Sequence, residues 1–556
     1  MSSSSLKFTA RERVVMTLTG VVLVAAPWGW AGVVLWTVAA ALGFATAAFM
    51  AVFAEARAQR VVMGVALVGL LAASIVAASA GYELFTHRWL DHVTFPAALF
   101  AGSSFAWSRL SRDLVSHPSA EARAELFRSV PFWAGVALFA YFAVQDFNAW
   151  GVVVDREAFW AKQGLPGVDV GKFDVRPLPY VRWLPSGLEA PFSAADTTHS
   201  PMNAWRLMMI LAAPWMLFCA LRSGLRRRRC YVWLAWVTVV SACLVGVFGL
   251  ANQYTYGTIL GLPIPRNSRC FGPFIGRNHA GVYLYLHAAL ALGLTLWHIR
   301  RSGANSLQGG PHLVAGFLAF VLTLLAALTG STAAVAIVLT LLFFSVLLAY
   351  VRGFPGVRRF HRSTVVVTGL AMAAAAAAIL ISVDLRPVVN RFKLKADKYE
   401  QTGFDDRMPL RRATWALIED GGWEGRAWVG YGAGSYRWIS PPYQAQQPEL
   451  HKNGSFHYRA DYAHNDWLEM LATWGIIGLL PVLVFLGWLF HWLARAFRRG
   501  HPENYPLALG LILLGLHAGF DLLFWFTPLM FTAAFVLAAM TTFTERSSAE
   551  KARALS

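Results

Sequence analysis

Long apolar runs recur along the whole of this 556-residue chain and constrain its fold more than any other feature. A run of about eighteen or more apolar residues forms a helix that can cross the hydrocarbon core of a bilayer. Because 57% of the residues are hydrophobic and only 14% are charged, the chain is too apolar for a soluble protein of this size. The short alternating strands of a transmembrane β-barrel are not evident. We therefore predict an all-α polytopic membrane protein.

Arginine clusters between the apolar runs predict the side of the membrane on which each loop lies. Cytoplasmic loops carry an excess of Lys and Arg, and the strongest cluster here spans residues 226–229. Successive loops must lie on opposite sides of the membrane, which gives about fourteen spans with both termini in the cytoplasm. The predicted spans are residues 14–26, 33–53, 61–80, 93–107, 131–144, 204–221, 231–250, 280–297, 313–328, 333–350, 364–383, 476–493, 507–523 and 529–543. Loops 145–203, 251–277 and 384–465 then lie outside, and the last is the largest.

The remaining totals exclude several classes of function. The net charge of +18 belongs mostly to the short loops beside the spans, so we expect no nucleic-acid partner. The four cysteines follow neither a disulfide framework nor a zinc spacing, and no carboxylate cluster suggests a metal. Residues 1–13 lead directly into the first span without a small-residue cleavage site, so no cleavable signal is expected.

Residues 462–478 pass from a polar head to an apolar helix. The segment reads Tyr-Ala-His-Asn-Asp-Trp-Leu-Glu-Met-Leu-Ala-Thr-Trp-Gly-Ile-Ile-Gly. Imidazole exchanges a proton near neutral pH, so His464 is a candidate general base at the boundary of water and lipid. Asn465 and Asp466 are placed to orient its ring, and Glu469 lies one turn further on. The alternative is a structural Asn-Asp helix cap beside an interfacial histidine.

Residues 269–281 lie where an outer loop becomes a membrane helix. Arg269 and Arg277 flank a glycine-rich stretch, and a guanidinium group can bind phosphate oxygens through two parallel hydrogen bonds. The N-terminus of the following helix adds backbone donors for an anion. Together with Asn278, these residues predict an anion site, and His279 is expected to be a neighbour rather than a catalyst.

The largest outer loop contains another pair of arginines. Arg407 and Arg411 lie four apart, so a helix would point both to one face, and either could contact an anionic substrate. Because the positive-inside bias opposes arginine in outer loops, we expect these side chains to bind a local anion or, alternatively, anionic lipid head groups. The run Gly430-x-Gly432-x-Gly434 does not follow a strand of a βαβ unit, so it predicts a tight turn near the site rather than a nucleotide loop.

His517 and Asp521 also lie four apart, within the predicted span 507–523. Ionisable residues inside a span are functional by default, and in other cases they pair with one another between helices. We expect this pair to lie one above the other in a helix and to hold helices together, with a functional role as the alternative.

In this order, the three outer segments resemble the signature of the bacterial O-antigen ligase and polymerase superfamily. The matching residues are Arg269, Gly272, Phe274, Asn278 and Ala280, then Arg411 with Trp415 and the glycines of 430–434, and then His464 and Asn465 with Gly475 and Gly478. Arg407 also resembles the start of the second motif, so the choice between Arg407 and Arg411 stays open. We divide the chain into an N-terminal transmembrane region, 1–230, and an O-antigen ligase-like catalytic region, 231–556.

The resemblance implies a glycosyltransferase at the outer face of a bacterial plasma membrane. Such an enzyme transfers a glycan from an undecaprenyl diphosphate donor to an acceptor hydroxyl, with inversion and without a metal or other cofactor. It implies catalytic roles for His464, Arg269, Arg411 and Arg407, and substrate binding by Arg277, Asn278, Asn465, Asp466, Glu469 and Gly432. The acceptor stays open between another glycan, lipid A-core and protein. A lipid-linked oligosaccharide flippase or another transporter is the alternative, although that class has repeated halves and midplane sites.

Overall fold

The structure, a computed structural model, describes most of the predicted spans. It covers residues 8–28, 35–53, 97–98, 101–102, 119–155, 173–189, 204–225, 227–254, 258–259, 262–263, 270–274, 276–302, 310–352, 390, 393, 407–452, 455–456, 460–499 and 501–555. The predicted spans 61–80 and 364–383 lie outside the described residues, as do most of 93–107 and the candidate site residue Arg269.

Helices make up most of the described structure. In chain order they are α1 Ala10–Ala25, α2 Leu35–Phe53, α3 Ser119–Phe127, α4 Val130–Phe147, α5 Ala204–Gly224, α6 Arg228–Tyr254, α7 Arg277–Ser302, α8 Pro311–Leu328, α9 Thr332–Arg352, α10 Met408–Asp420, α11 Ala427–Val429, α12 Tyr436–Ile439, α13 Pro441–Gln444, α14 Asp466–Arg499, α15 Asn504–His517 and α16 Thr527–Leu555. Within these described residues, seven helices are long and apolar enough to cross a membrane, namely α4, α5, α6, α7, α8, α14 and α16. The chain is therefore an all-α polytopic membrane protein, and the count of about fourteen spans stays a prediction.

The predicted and observed helix bounds differ most at the end of α15. The predicted span 507–523 is wrong there, because the helix ends at His517 and the chain turns before α16. Residues 519–521 bond back to the carbonyls of Leu516 and His517, which closes a tight turn. This break places Asp521 in a turn at the end of the bundle rather than in a helix above His517.

Helix α7 occupies the centre of the C-terminal bundle. It packs against α6, α8, α9, α15 and α16. Small side chains cover much of its length, and Ala288, Ala289 and Ala291 are fully buried. Small residues let membrane helices approach closely, which suits a helix with neighbours on all sides. The first residue of α7 therefore lies at the middle of one end of the bundle.

The segments that are predicted to lie outside fold into a small layer with its own core, the outer layer. Strand β1 Gly151–Asp155 pairs antiparallel with β2 Phe173–Pro177 and parallel with β3 Leu188–Glu189. Two short antiparallel hairpins follow. One pairs β4 Thr258–Ile259 with β5 Leu262–Pro263, and the other pairs β6 His451–Lys452 with β7 Ser455–Phe456. A single β-bridge joins Phe271 and Phe274. Val153 and Leu188 of the sheet pack with Leu417 of α10, so loops far apart in sequence share one apolar cluster. The sequence did not predict these strands.

Helix α14 bends at Gly475, where the backbone leaves the helical region with φ 68° and ψ −178°. The predicted glycine turn of residues 430–434 packs against this bend. A Cβ on Gly430 would lie 2.2 Å from the carbonyl oxygen of Thr473, and a Cβ on Gly475 would lie 2.4 Å from the nitrogen of Gly430. The N–H of Gly432 donates to the same Thr473 carbonyl at 2.8 Å. Glycine is thus required on both sides of a backbone-to-backbone contact.

Helix α4 closes this junction from the other side. The hydroxyl oxygen of Tyr141 lies 2.7 Å from the carbonyl oxygens of both Val429 and Trp474. The amide of Gln145 donates to the Val429 carbonyl at 2.9 Å and accepts from the N–H of Ala433 at 3.0 Å. The carbonyls that the bend releases from helical bonding therefore have partners, as buried backbone groups require.

Candidate functional site

Four separate segments meet at one end of the helical bundle. They are the start of α7, the start of α10, the residues just before α14, and the turn of residues 518–526 between α15 and α16. The carboxylate of Asp521 is the group that joins them, and its side chain is only 2% exposed. All four segments are helix starts or turns, so the site lies where helices of the bundle begin and end.

The carboxylate of Asp521 accepts a hydrogen bond from each of the other segments. His464 Nδ1 lies 3.2 Å from Oδ1, and Arg407 Nη2 lies 3.2 Å from Oδ2. The amide nitrogen of Asn278 also donates to Oδ2, and the N–H of Leu522 donates to Oδ1 at 2.9 Å. Both oxygens of this buried carboxylate are therefore satisfied, which is what a buried charge needs to persist.

These donors also set the ionisation of Asp521. Burial by itself raises the pKa of the carboxyl group, but the hydrogen bond from His464 and the charge of Arg407 outweigh it and hold that pKa below its ordinary value. The group is therefore a carboxylate at neutral pH.

The ring of His464 is held in one tautomer by this carboxylate. Because an ionised carboxylate can only accept, Nδ1 must carry the hydrogen that it shares with Asp521. In the neutral ring, the lone pair then belongs to Nε2. The His464 side chain is 29% exposed, in contrast to the buried Asp521. The arrangement leaves one basic nitrogen available to a substrate.

The backbone of His464 is the site's unusual feature. Among the described residues, it is the one residue other than glycine with a positive φ, 50°. Its neighbours explain why the conformation is kept. Glu469 accepts the N–H of Ala463 at 2.8 Å, and the N–H of Asp466 donates to the carbonyl of Ala518 at 2.8 Å. Strained residues of this kind persist only where the surroundings fix them, and they cluster at functional sites.

The side chains of Asp466 and Glu469 accept hydrogen bonds from backbone groups near the site. Both side chains are buried, and Asp466 Oδ2 accepts the N–H groups of Leu523 and Phe524 at 2.7 and 3.1 Å. These bonds fix the turn that presents Asp521. The structure thus places Asp466 and Glu469 beneath the site as supports of its backbone, where we had expected contact with substrate.

Two other candidate residues also act on the backbone. Asn465 accepts the N–H of Leu468 at 3.0 Å, which makes it a cap of α14. Gly432 lies at the junction with α14, where its Cβ would meet the backbone of Gly187 at 2.6 Å. The ring of His464 is thus held by Asp521, which the sequence did not assign to the site, rather than by Asn465.

The arginines surround the carboxylate unequally. Arg407 donates to Asp521 and to the carbonyl of Phe520, so much of its guanidinium group is used within the protein. Arg411 donates to the carbonyl of Gly519 at 3.3 Å and lies 5.2 Å from the centre of the Phe520 ring. Within the described residues, Nε of Arg411 and Nε of Arg277 have no hydrogen-bond partner. In the bonds described here, Arg407 thus donates from two guanidinium nitrogens and Arg411 from one.

Two histidines near the cluster pack against aromatic rings. His279 stacks on Phe526, with ring centres 3.5 Å apart, which agrees with its expected role as a neighbour. His517 is buried at the end of α15, 6.2 Å from the ring of Tyr285. Its backbone carbonyl accepts the N–H of Asp521, so the expected pair of side chains is a contact through the backbone.

An apolar cavity of about 270 Å³ lies inside the bundle below this site. Helices α4, α5, α14, α15 and α16 supply its walls, which are almost wholly aliphatic and aromatic. Trp467 and Phe524 line its upper part, and these residues directly follow or bond to Asp466. The cavity and the polar cluster are therefore neighbours. Among the described residues, no three His, Cys, Asp or Glu side chains form a group that could hold a metal ion.

Asp521 is the residue that sequence reasoning missed. Its distance of four from His517 predicted a helical pair, so the sequence analysis predicted no turn at residues 518–526. A usable signal was present in the Gly519 and Pro528 that flank it, because glycine and proline often mark turns and helix starts.

Comparison with known families supports the assignment suggested by these motifs. Residues 315–483 match the family model described as O-antigen ligase, a region that includes Arg407, Arg411 and His464. A comparison with the curated proteins finds no significant match. Residues 315–483 are therefore similar to the O-antigen ligase family, which supports the superfamily resemblance that the sequence motifs suggest.

Proposed function

We propose that this protein is a glycosyltransferase that transfers a glycan from an undecaprenyl diphosphate donor to an acceptor hydroxyl, as an O-antigen ligase or a polysaccharide polymerase. The observation that carries the proposal is the position of His464. Its ring is oriented by a buried carboxylate and exposed on its other side, at the end of a membrane helix and above an apolar cavity. The O-antigen ligase match supports this type of glycosyltransferase in general.

The chemistry needs one proton acceptor. The acceptor oxygen attacks the anomeric carbon, the bond from that carbon to the diphosphate oxygen breaks, and the hydroxyl proton must leave. Nε2 of His464 takes this proton, while Asp521 holds Nδ1–H and stabilises the imidazolium that forms. Attack from the face opposite the diphosphate inverts the anomeric centre. The proton then passes to the departing diphosphate or to water.

The leaving diphosphate needs positive charge more than a proton. Arg277 and Arg411 supply that charge in our proposal, because Arg277 begins α7 beside Asn278 and Arg411 bonds to the turn that carries Asp521. The N-terminus of α7, where Arg277 and Asn278 lie, adds backbone N–H groups that favour an anion. Arg407 instead fixes Asp521. Arg269 remains a proposed diphosphate ligand on the strength of the sequence alone.

The lipid part of the donor needs an apolar path to the same place. The cavity between α4, α5, α14, α15 and α16 fits such a chain, since its walls offer apolar contacts and its upper part adjoins the cluster. We propose that the donor lies with its isoprenoid in this cavity and its diphosphate at the start of α7. The cluster then faces the extracytoplasmic side of the inner membrane, as the arginine distribution predicts.

The decisive test is His464→Gln. Glutamine keeps a hydrogen bond to Asp521 but cannot accept the proton, so transfer should fall by about 10²–10⁴-fold. Purified protein in lipid nanodiscs would be assayed for transfer from a lipid diphosphate glycan, and donor binding would be measured separately. Binding should stay within a few-fold of the native value.

The matched control is His451→Gln, since His451 lies in the same outer layer, where its Nε2 is 2.7 Å from the carbonyl oxygen of Ala445. This variant should keep normal transfer. Near-normal turnover in His464→Gln would remove the general-base role, and a loss in both variants would indicate a folding defect instead.

A further inference from the structure

The exposed face of α10 continues away from the candidate site as an ordered ridge. Arg407 precedes the helix, and Arg411, Trp415 and Glu419 follow at steps of four residues. Residues four apart are neighbours on a helix surface, so these side chains form one inclined row. The row starts at Asp521, through the Arg407 contact, and ends at Glu419 in the last turn of α10.

Trp415 is the aromatic centre of this ridge. Its side chain is 45% exposed, although α10 buries Leu410, Ala413 and Leu417 on the other face. The indole N–H donates to Glu419 Oε1 at 2.6 Å, which fixes the plane of the ring. A large aromatic surface held still and left open to solvent is suited to a flat ligand, because little side-chain freedom is lost on binding.

The spacing connects Trp415 with the reaction site. At a rise of about 1.5 Å per residue, Trp415 lies ~6 Å along the helix from Arg411 and ~12 Å from Arg407. Arg411 stacks on Phe520, the residue before Asp521. Trp415 therefore lies ~12 Å along the helix from the residue that contacts Asp521, which is also the partner of His464.

We propose that the ridge is a sugar-binding subsite in which Trp415 stacks on a pyranose ring and the Glu419 carboxylate accepts hydrogen bonds from its hydroxyls. The C–H face of a pyranose is apolar and flat enough to cover an indole, and its edge presents hydroxyls to charged partners. This inference rests on the proposed function, which places a glycan at His464. The glycan can belong to the donor or to the acceptor, and the experiment distinguishes these two sources.

Equilibrium binding of soluble glycans tests the subsite without turnover. The donor probe is the oligosaccharide that mild acid releases from the lipid-linked glycan in membranes of the source bacterium. The acceptor probe is the core oligosaccharide released from the lipopolysaccharide of the same bacterium. Calorimetry with purified protein in nanodiscs would compare the native chain with Trp415→Ala, Trp415→Phe and Trp415→Leu. The matched control is Trp428→Ala, because Trp428 lies in the same loop and is equally open, at 47% exposed.

We expect Trp415→Ala to weaken binding of one probe by about tenfold, and the probe that is affected identifies the source of the sugar. Trp415→Phe should keep most of the affinity, Trp415→Leu should lose it as Ala does, and Trp428→Ala should have no effect. Native affinity in Trp415→Leu would show a membrane-interface anchor and overturn the subsite, as would unchanged affinity in Trp415→Ala or no binding of either probe to the native protein. Absence of transfer by the native protein, by contrast, would overturn the proposed function while leaving these binding results intact.

Discussion

At the scale of single residues, the carboxylate of Asp521 decides whether the site is assembled. It accepts from His464, Asn278, Arg407 and its own neighbour Leu522, which belong to three helix starts and one turn. A buried carboxylate with four donors both orients the base and prevents the Arg407 charge from being left without a partner. One substitution there should therefore affect catalysis and local order together.

We predict that Asp521→Asn lowers transfer by about 10²–10⁴-fold. The amide keeps the size of the side chain, but one of its two ends becomes a donor that faces donors, so His464 loses its orientation and the preferred tautomer. Initial rates with saturating donor and acceptor would measure the effect.

The control for this variant is Glu449→Gln, which alters a carboxylate in a surface pair with Arg412. Exposed ion pairs of this kind contribute little to folding stability, so the activity of Glu449→Gln should be unchanged. A turnover of Asp521→Asn close to that of Glu449→Gln would contradict the role of Asp521.

At the scale of elements, the bend in α14 sets the direction of the segment that carries His464. Gly475 has a positive φ, and the glycine turn of residues 430–434 lies against it with backbone atoms in contact. Gly478, one turn further on, leaves room for Tyr141, since a Cβ there would lie 2.7 Å from the Tyr141 ring. The upper part of α14 is therefore positioned by its neighbours rather than by a continuous helix.

We predict that Gly475→Ala destabilises the protein by about 2–5 kcal/mol, because alanine is strained at this φ and its Cβ has no space. Gly487→Ala is the matched control in the same helix, where a Cβ would meet nothing within 4 Å. That variant should be neutral or more stable by about 1 kcal/mol. Thermal unfolding in nanodiscs would compare the two, and equal melting temperatures would contradict the packing described here.

Elements that rest on local pattern were predictable, and elements that rest on distant contacts were not. The apolar run that predicted a span at 280–297 lies within α7 Arg277–Ser302. The same apolar residues stabilise a helix whether it is buried in lipid or in protein. The turn at 518–526 depends on Asp466, whose carboxylate binds the N–H groups of Leu523 and Phe524 across 57 and 58 positions of sequence. Such a bond leaves no local signal. The position of His464 was evident from its motif, whereas its partner Asp521 required the turn.

At the scale of the whole molecule, charge separates the two ends of the bundle. The candidate site lies where α7 begins, and Arg300 and Arg301 lie where α7 ends. Arg222 at the end of α5 and Arg495, Arg498 and Arg499 at the end of α14 belong to that second end as well. Arginine collects on the cytoplasmic side of membrane proteins. The site end is therefore expected to face outward.

We predict that a cysteine at Gln446, an exposed residue of the outer layer, reacts with an impermeant thiol reagent in intact cells. A cysteine at Ser302, the last residue of α7, should react only after permeabilisation. The four native cysteines are buried and should give little background. Labelling at Ser302 in intact cells, with protection at Gln446, would reverse the orientation.

The junction between the glycine turn and α14 also limits how the chain can diversify. Its contacts are made by backbone atoms at Gly430, Gly432 and Gly475. Neither the glycine turn nor the bend of α14 can therefore be replaced without a matching change in the other. An outer loop taken from a relative would bring a turn shaped for that relative's own helix. Recombination breakpoints between residues 434 and 475 are therefore disfavoured, and a working chimera has to inherit residues 430–475 from a single parent.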